Sequence, residues 1–259
     1  MTRELQYVLM DPSGNRTILV KSPVPEAEQP AVAEQLLALE PSAEQVGFLT
    51  RCDAFSIALR MAGGEFCGNA AMSAAVYYAL LNGLSVGTVP VEIFGAPSPL
   101  SVEIAQNGDG SWRGRVEMPR PIAIKMITFP EGQKLPVVFF QGIAHVILAS
   151  CLSRSEAEKV IVSWCTFLNA EAFGLMFVDS VENRLTPLVY VPAVNSLYWE
   201  SACGSGISAV GAWMAAENKA PVHVALRQPG GILEVDADPS GLLILQGTVN
   251  LRYEKTICL

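Results

Sequence analysis

Histidine is almost missing from this chain: His145 and His223 are the only two in 259 residues. They lie far apart and neither belongs to an H-E-x-x-H or similar ligand pattern. Zinc therefore has almost nothing to bind, and each histidine reads as a packed or surface residue. No C-x-x-C pair occurs among the six cysteines, at 52, 67, 151, 165, 203 and 258, and a reducing compartment argues against a disulfide framework. Lysine and arginine are outnumbered, 17 against 25 acidic residues for a formal charge of −8. No stretch clusters them, which excludes a surface that tracks a phosphate backbone, and nucleic acid is not an expected partner. None of the six lysines stands in a recognisable Schiff-base context, so pyridoxal phosphate is not expected either. Phe66 to Val91 carries no charge, but Gly68, Asn69, Asn82, Gly83, Gly87 and Pro90 interrupt it. That predicts a buried helix and a turn, not a membrane span. The opening "MTRELQYVLMDPSGN" includes Glu4 and Asp11 and lacks the apolar core and cleavage site of a signal peptide, so a cytoplasmic location is expected.

The chain does have a duplication. "GGEFCGNAAMSAAVYYAL" at 63–80 is answered by "WESACGSGISAVGAWMAA" at 199–216. Each copy has an acidic residue, a short gap, Cys-Gly-polar, and then a run of small and apolar residues that reads as a buried helix. The segments after the two helices repeat as well: 91–119 and 222–250 both read as strand, Pro/Gly turn, strand, Gly-containing turn, strand. Upstream, 16–20 and 55–61 read as strands around a helix at 31–40. In the second half, two strands at 137–149 broken at Gly142, a helix at 155–169, and strands at 173–179 and 185–192 take the same places. The segment 118–125 is the natural junction. With 51% hydrophobic content the chain can build one large core or two modest ones, and the repeat favours two.

A cysteine at a helix N-terminus sits beside unpaired backbone N–H groups and the positive end of the helix dipole. Both favour thiolate over thiol, so a resting pKa of about 8.5 is expected to fall. The same N–H groups, unobstructed at Gly68 and Gly204, make a site for a carboxylate. Two such sites on one substrate suit a reaction that removes a proton from one face of a carbon and returns one to the other. Cys67 and Cys203 would flank an amino-acid Cα, one as thiolate and one as thiol, while the amides stabilise charge building on the carboxylate. Such a two-base racemase requires no cofactor and no metal. A single buried cysteine capping a helix is commonly only a small core residue. Two in matching contexts of a repeat point to chemistry.

The motifs "PSGN" (12–15), "EQVGFL" (44–49), "EFCGNAAMS", "GIAHVIL" (142–148), "ACGSG" and "QPGG" (228–231) occur in an order that resembles the diaminopimelate epimerase-like, cofactor-independent amino-acid racemases. The resemblance covers almost the whole chain. It implies an α/β (α+β) protein of two pseudo-symmetric domains, each a barrel-like β-sheet around a central helix, with the active site in the interdomain cleft. The halves would be 1–120, carrying Cys67 and completed by a strand at about 247–259, and 121–246, carrying Cys203. A homodimer is implied as well.

Departures from the epimerase pattern narrow the substrate. The asparagines and the Arg that hold the distal end of diaminopimelate are missing: Met61 lies near one expected asparagine, Ile143 replaces another, and Leu175 or Met176 falls near a third. "YWESAC" is too short for the Arg-bearing segment, and a distal carboxylate left without that bidentate partner would be costly to bury. A closer similarity is to the histidine racemases of staphylopine-type metallophore biosynthesis, which share the short segment and the missing Arg. By that resemblance Cys67 and Cys203 are the acid/base pair, and Gly68, Asn69, Gly204 and Ser205 offer amides to the carboxylate, with Asn15 nearby. Gln45 belongs to the same substrate-binding set, and Glu44 and Glu200 are candidates for the ammonium or the side chain. Racemisation of diaminopimelate or another amino acid, double-bond isomerisation of the phenazine-biosynthesis type, and amino-acid binding without catalysis are the competing readings. Both cysteines being present weighs against the last two.

Overall fold

The computed structural model describes residues 3–149 and 152–259; Cys151, to which the sequence assigns no chemistry, lies outside them. The chain forms two compact units, Met1–Glu117 with Gln246–Leu259, and Met118–Leu245. It is a mixed α/β protein. No helix among the described residues is long and apolar enough to cross a membrane.

The first unit contains β1 (Glu4–Pro12), β2 (Thr17–Val20), α1 (Gln29–Leu39), β3 (Gln45–Cys52), β4 (Ile57–Met61), α2 (Gly68–Asn82), β5 (Val86–Ile93), β6 (Leu100–Gln106) and β7 (Trp112–Glu117). Its strands run in the order β1-β2-β3-β4-β5-β6-β7-β16, where β16 is Leu243–Cys258, and β16 pairs back onto β1, closing a ring of eight strands. The pairings β2–β3 and β4–β5 are parallel, each bridged by a helix, as parallel neighbours require.

In the second unit come β8 (Ala123–Thr128), β9 (Lys134–Phe140), β10 (Ile143–Leu148), α3 (Arg154–Leu168), β11 (Phe173–Asp179), β12 (Arg184–Val191), β13 (Ser196–Trp199), α4 (Gly204–Asn218), β14 (Val222–Arg227) and β15 (Ile232–Ala237). The strand path is β16-β15-β14-β12-β11-β10-β9-β8, with β13 on the flank of β12. Here β10–β11 and β12–β14 are the parallel pairs, again each spanned by a helix, so the sequence repeat is a repeat of topology.

Each unit has one helix packed outside its sheet and one inside. α1 buries Val32, Ala33 and Leu36 against Leu5, Tyr7 and Phe48. α3, opened by a Ser153/Glu156 capping box, buries Ala157, Ile161 and Trp164 against Phe173, Leu175 and Phe177. α2 and α4 are buried nearly all round in their first three turns, which explains why both are apolar on every face. Small residues let them fit. A side chain at Gly114 would meet Met72 of α2 at 2.9 Å, and one at Gly211 of α4 would meet Val235 at 2.6 Å. α2 ends at Gly83 in the left-handed conformation (φ 64°), and α4 at Lys219 (φ 52°), each cap N–H returning to the carbonyl four residues back. Strands lying between two helices are buried on both faces, so β1 reads Tyr7 to Met10 as one apolar run.

Candidate active site

Both cysteines occupy the same local position. Cys67 is extended (φ −141°, ψ 111°) and N-caps α2, its sulfur accepting the Ala70 N–H at 3.4 Å. Cys203 (φ −106°, ψ 107°) N-caps α4, its sulfur accepting the Gly206 N–H at 3.3 Å. In each case Sγ takes up the N–H of the third helical residue. The first and second have no intrahelical carbonyl to bond, and these are Gly68 and Asn69 in α2 and Gly204 and Ser205 in α4. Two amides aimed out of a helix start, with the dipole behind them, favour a carboxylate.

In the first unit the half-buried Cys67 thiol donates to Gln45 Oε1 at 3.0 Å. Gln45 opens β3, and Glu44 just before it accepts from Asn15 Nδ2 at 2.9 Å. Asn15 follows the tight turn at Ser13 and Gly14 (φ 51° and 97°), and is 1% exposed. The turn is held by Gly14 N–H on Asp11 and by Ser13 N–H on the Thr248 carbonyl. Asn15 Oδ1 is buried with no hydrogen-bond partner in the protein. An orphaned acceptor costs about 1–3 kcal/mol, which a ligand N–H would recover. Asn15, Glu44, Gln45 and Cys67 are thus linked through two hydrogen bonds and one peptide bond.

In the second unit Cys203 is 4% exposed. Gln228, the first residue of the "QPGG" motif, clasps its backbone: Oε1 accepts the Cys203 N–H at 2.7 Å and Nε2 donates to its carbonyl at 3.5 Å. The signal that could have revealed Gln228 was a long polar side chain beside a turn, which is too common to stand out. The Cys203 thiol is hydrogen-bonded to the Glu200 side chain. Its pKa lies well above the ordinary thiol value, first through burial and then through the Glu200 charge and hydrogen bond. Ser205 and the Gly206 N–H oppose that shift without overcoming it. The helix-start argument anticipated a lowered pKa. For Cys203 it is corrected, because a few N–H dipoles do not offset loss of solvent plus a neighbouring carboxylate. Cys203 is therefore held as a thiol with an acceptor already on its proton.

His145, read from sequence as a packed residue, is fully buried beside this group, Nε2 lying 2.9 Å from Ser205 Oγ. Burial lowers its pKa to about 3, so it is neutral. His223 sits on the surface between Asp236 and Glu234. Among the described residues no three His, Cys, Asp or Glu side chains gather in a way that could hold a metal ion.

Residues 4–251 match the model of the family described as the histidine racemase CntK N-terminal domain. A histidine racemase from Fusobacterium nucleatum is 30% identical over 239 residues, spanning 89% of this chain and 88% of that protein. One from Staphylococcus aureus is 28% identical over 243 residues, with the same shares covered. The solved structure of a predicted epimerase from Pseudomonas aeruginosa superposes with a TM-score of 0.72 at 16% identity, over 98% of this chain and 99% of that one; it is a likeness of fold.

Proposed function

We propose, from the premise that this chain belongs to the histidine racemase family, that it interconverts L- and D-histidine by exchanging the Cα proton between Cys67 and Cys203. Membership makes the chain an amino-acid racemase. The observation that supports the two-cysteine reading is the twofold construction of the sites. Each thiol caps a buried helix and points its proton at an acceptor, Gln45 Oε1 for Cys67 and Glu200 for Cys203.

In one direction a thiolate at one cysteine takes the Cα proton and becomes a thiol. The electron pair spreads into the carboxylate, where the amides of Gly68 and Asn69 and of Gly204 and Ser205 stabilise the charge. The other cysteine gives its proton to the opposite face and is left as thiolate. Glu200 can take the Cys203 proton to generate that thiolate, whereas the neutral Gln45 only orients the Cys67 thiol. Asn15 Oδ1 and Glu44 offer acceptors for the substrate's ammonium or imidazole N–H. The sequence lacks the Arg-bearing segment and the distal asparagines of the epimerase pattern, which argues against diaminopimelate as substrate. The reading extends to a cytoplasmic homodimer that supplies D-histidine for an opine metallophore.

The test is incubation with L- and D-histidine in D2O, following the Cα proton by NMR together with optical rotation. Wild type is expected to racemise and exchange both enantiomers and to leave diaminopimelate nearly untouched. Cys67→Ser and Cys203→Ser should each lose racemisation yet retain slow exchange, each with a different enantiomer. Full racemisation by either variant, or the same enantiomer preference in both, removes the opposed-cysteine mechanism. Turnover of diaminopimelate without histidine removes the substrate.

A further inference from the structure

Behind Cys203 stand two more side chains in line. Ser205 Oγ is 3.5 Å from the Cys203 sulfur, and His145 Nε2 is 2.9 Å from Ser205 Oγ. At the far side of the ring, His145 Nδ1 is buried and has no hydrogen-bond partner. That side is closed by β11, the parallel neighbour of β10, where Gly174 lies opposite His145. A Cβ on Gly174 would come within 2.2 Å of Nδ1 and 2.8 Å of Cε1, and Phe140 faces the ring edge-on at 6.2 Å. The imidazole is thus fixed with one nitrogen sealed and the other on Ser205.

The sealed nitrogen decides where the single proton of a neutral ring belongs. A proton on Nδ1 would be a buried N–H without an acceptor, the rarest kind of unsatisfied group, whereas a proton on Nε2 leaves only a lone pair unmatched. Ser205 Oγ then accepts from Nε2–H and has its own proton to give. The acceptor within its reach is the Cys203 sulfur. We propose that His145 is a positioning residue: a neutral imidazole that donates from Nε2 to Ser205 and so turns the Ser205 hydroxyl proton onto Cys203. The inference rests on the reading of Cys203 as an acid/base group.

The groups that face the sulfur then divide by sign. Glu200 favours the thiol; the Gly206 N–H and the Ser205 hydroxyl favour the thiolate. Cys203 must exist in both forms during turnover, and the His145–Ser205 pair supplies a donor that is already oriented when the proton leaves. The opposite tautomer would pull the serine proton toward the ring and leave oxygen lone pairs against a developing negative charge. Because the ring never ionises in the working range, it contributes direction and no titration of its own.

The experiment has a direct arm and a kinetic arm. Only two histidines occur, so long-range 1H–15N spectra of enzyme labelled in histidine resolve both rings. His145 is expected as the Nε2–H tautomer, unchanged from about pH 5 to 9. In kcat/KM against pH, Ser205→Ala should move the ascending limb upward by about 0.5–1 unit, a loss of roughly 3–10-fold at neutral pH, as expected for removing one hydrogen bond to a thiolate. His145→Phe should shift the limb in the same direction. Adding it to Ser205→Ala should shift it no further, because the histidine acts through the serine. His145→Gln, whose amide N–H falls near Nε2, should move the limb back toward wild type. An Nδ1–H tautomer, titration of His145 within that range, or a pH profile left in place by Ser205→Ala overturns the proposal. Should Cys203→Ser itself still racemise, it is the assignment of Cys203 that fails, a result separable from the others.

Discussion

Replacing Cys203 by serine or alanine separates its two jobs, and the structure sets the size of the difference. The sulfur is an N-cap acceptor for the Gly206 N–H and also donates to Glu200. Serine keeps an acceptor and a donor at the same place and is among the preferred N-cap residues. Alanine leaves the Gly206 N–H without its cap, at about 1 kcal/mol, and takes the donor away from Glu200 as well. Together these predict Cys203→Ala less stable than Cys203→Ser by about 1–3 kcal/mol, with the serine variant within about 1 kcal/mol of wild type. At Cys67 the sulfur is half-buried and water can replace it, so the alanine-to-serine gap should be smaller there. Urea unfolding followed by tryptophan fluorescence measures the gap, and in thermal melts each kcal/mol corresponds to about 2–4 °C. Racemisation should be lost in all four variants. If serine and alanine prove equally stable at 203, or serine the worse, the capping role drawn from the geometry is refuted whatever the activities.

Three further outcomes rest on particular contacts. Gly206→Ala should cost about 1–3 kcal/mol despite alanine's better helix propensity, because its Cβ would lie 2.2 Å from Met176 Sδ and 3.1 Å from Cys203 Sγ, and it should cut kcat by displacing the sulfur; a stable, fully active variant counts against the tight packing at this helix start. His145, with its folded pKa near 3 against 6.5 unfolded, stabilises the fold fully above about pH 6.5 and loses that contribution as pH falls toward 3, at up to about 1.4 kcal/mol per unit. Urea midpoints at pH 7 and 5 should therefore differ more in wild type than in His145→Gln. Glu44→Ala, which releases Asn15 Nδ2, should raise KM for histidine more than it lowers kcat, and an unchanged KM would take the Asn15–Glu44 pair out of substrate binding.

How far the sequence could be read depended on whether an element has one buried face or two. α2, α4 and the strand triplets after them were legible because the same pattern occurs twice, with Cys-Gly marking the helix start and Gly or Pro the turns. β14 and β15 alternate cleanly, as strands with one solvated face do. β1 was not read as a strand because its buried stretch lies against a helix on each side and loses its alternation. β3 hides differently: Gly47 interrupts its apolar run, with Met61, Leu59 and Leu19 within 3.4 Å of where a side chain would stand, and Thr50 to Cys52 turn to solvent. β13 is only four residues long and largely exposed, so its Leu197, Tyr198 and Trp199 show no alternation that would announce a strand. β8 begins inside the stretch expected to be a plain junction.

The site shows the same division at the level of single groups. That two cysteines head buried helices could be inferred from spacing, because a helix start needs only local sequence. The surroundings of each thiol are set by residues distant in the chain: Gln45 is brought to Cys67 by β3, and Gln228 and His145 are brought to the Cys203 turn by a strand turn and by β10. The two helix starts are alike, yet the first sulfur is half-buried beside a neutral amide and the second is enclosed beside a carboxylate. Two identical caps in unlike surroundings cannot share one proton affinity. On the proposed mechanism the two mirror-image substrates are chemically equivalent, but Cys67 and Cys203, the proposed bases, need not be, since each stands in a different half of a duplicated chain. Enantiomers have equal free energy, so kcat/KM must be the same in both directions at every pH, and the asymmetry of the bases has to appear in kcat and KM taken separately. The two directions should then reach their maximal kcat at different pH, with KM moving in compensation. Superimposable kcat profiles for L- and D-histidine would mean that substrate binding levels the difference between the two sulfurs.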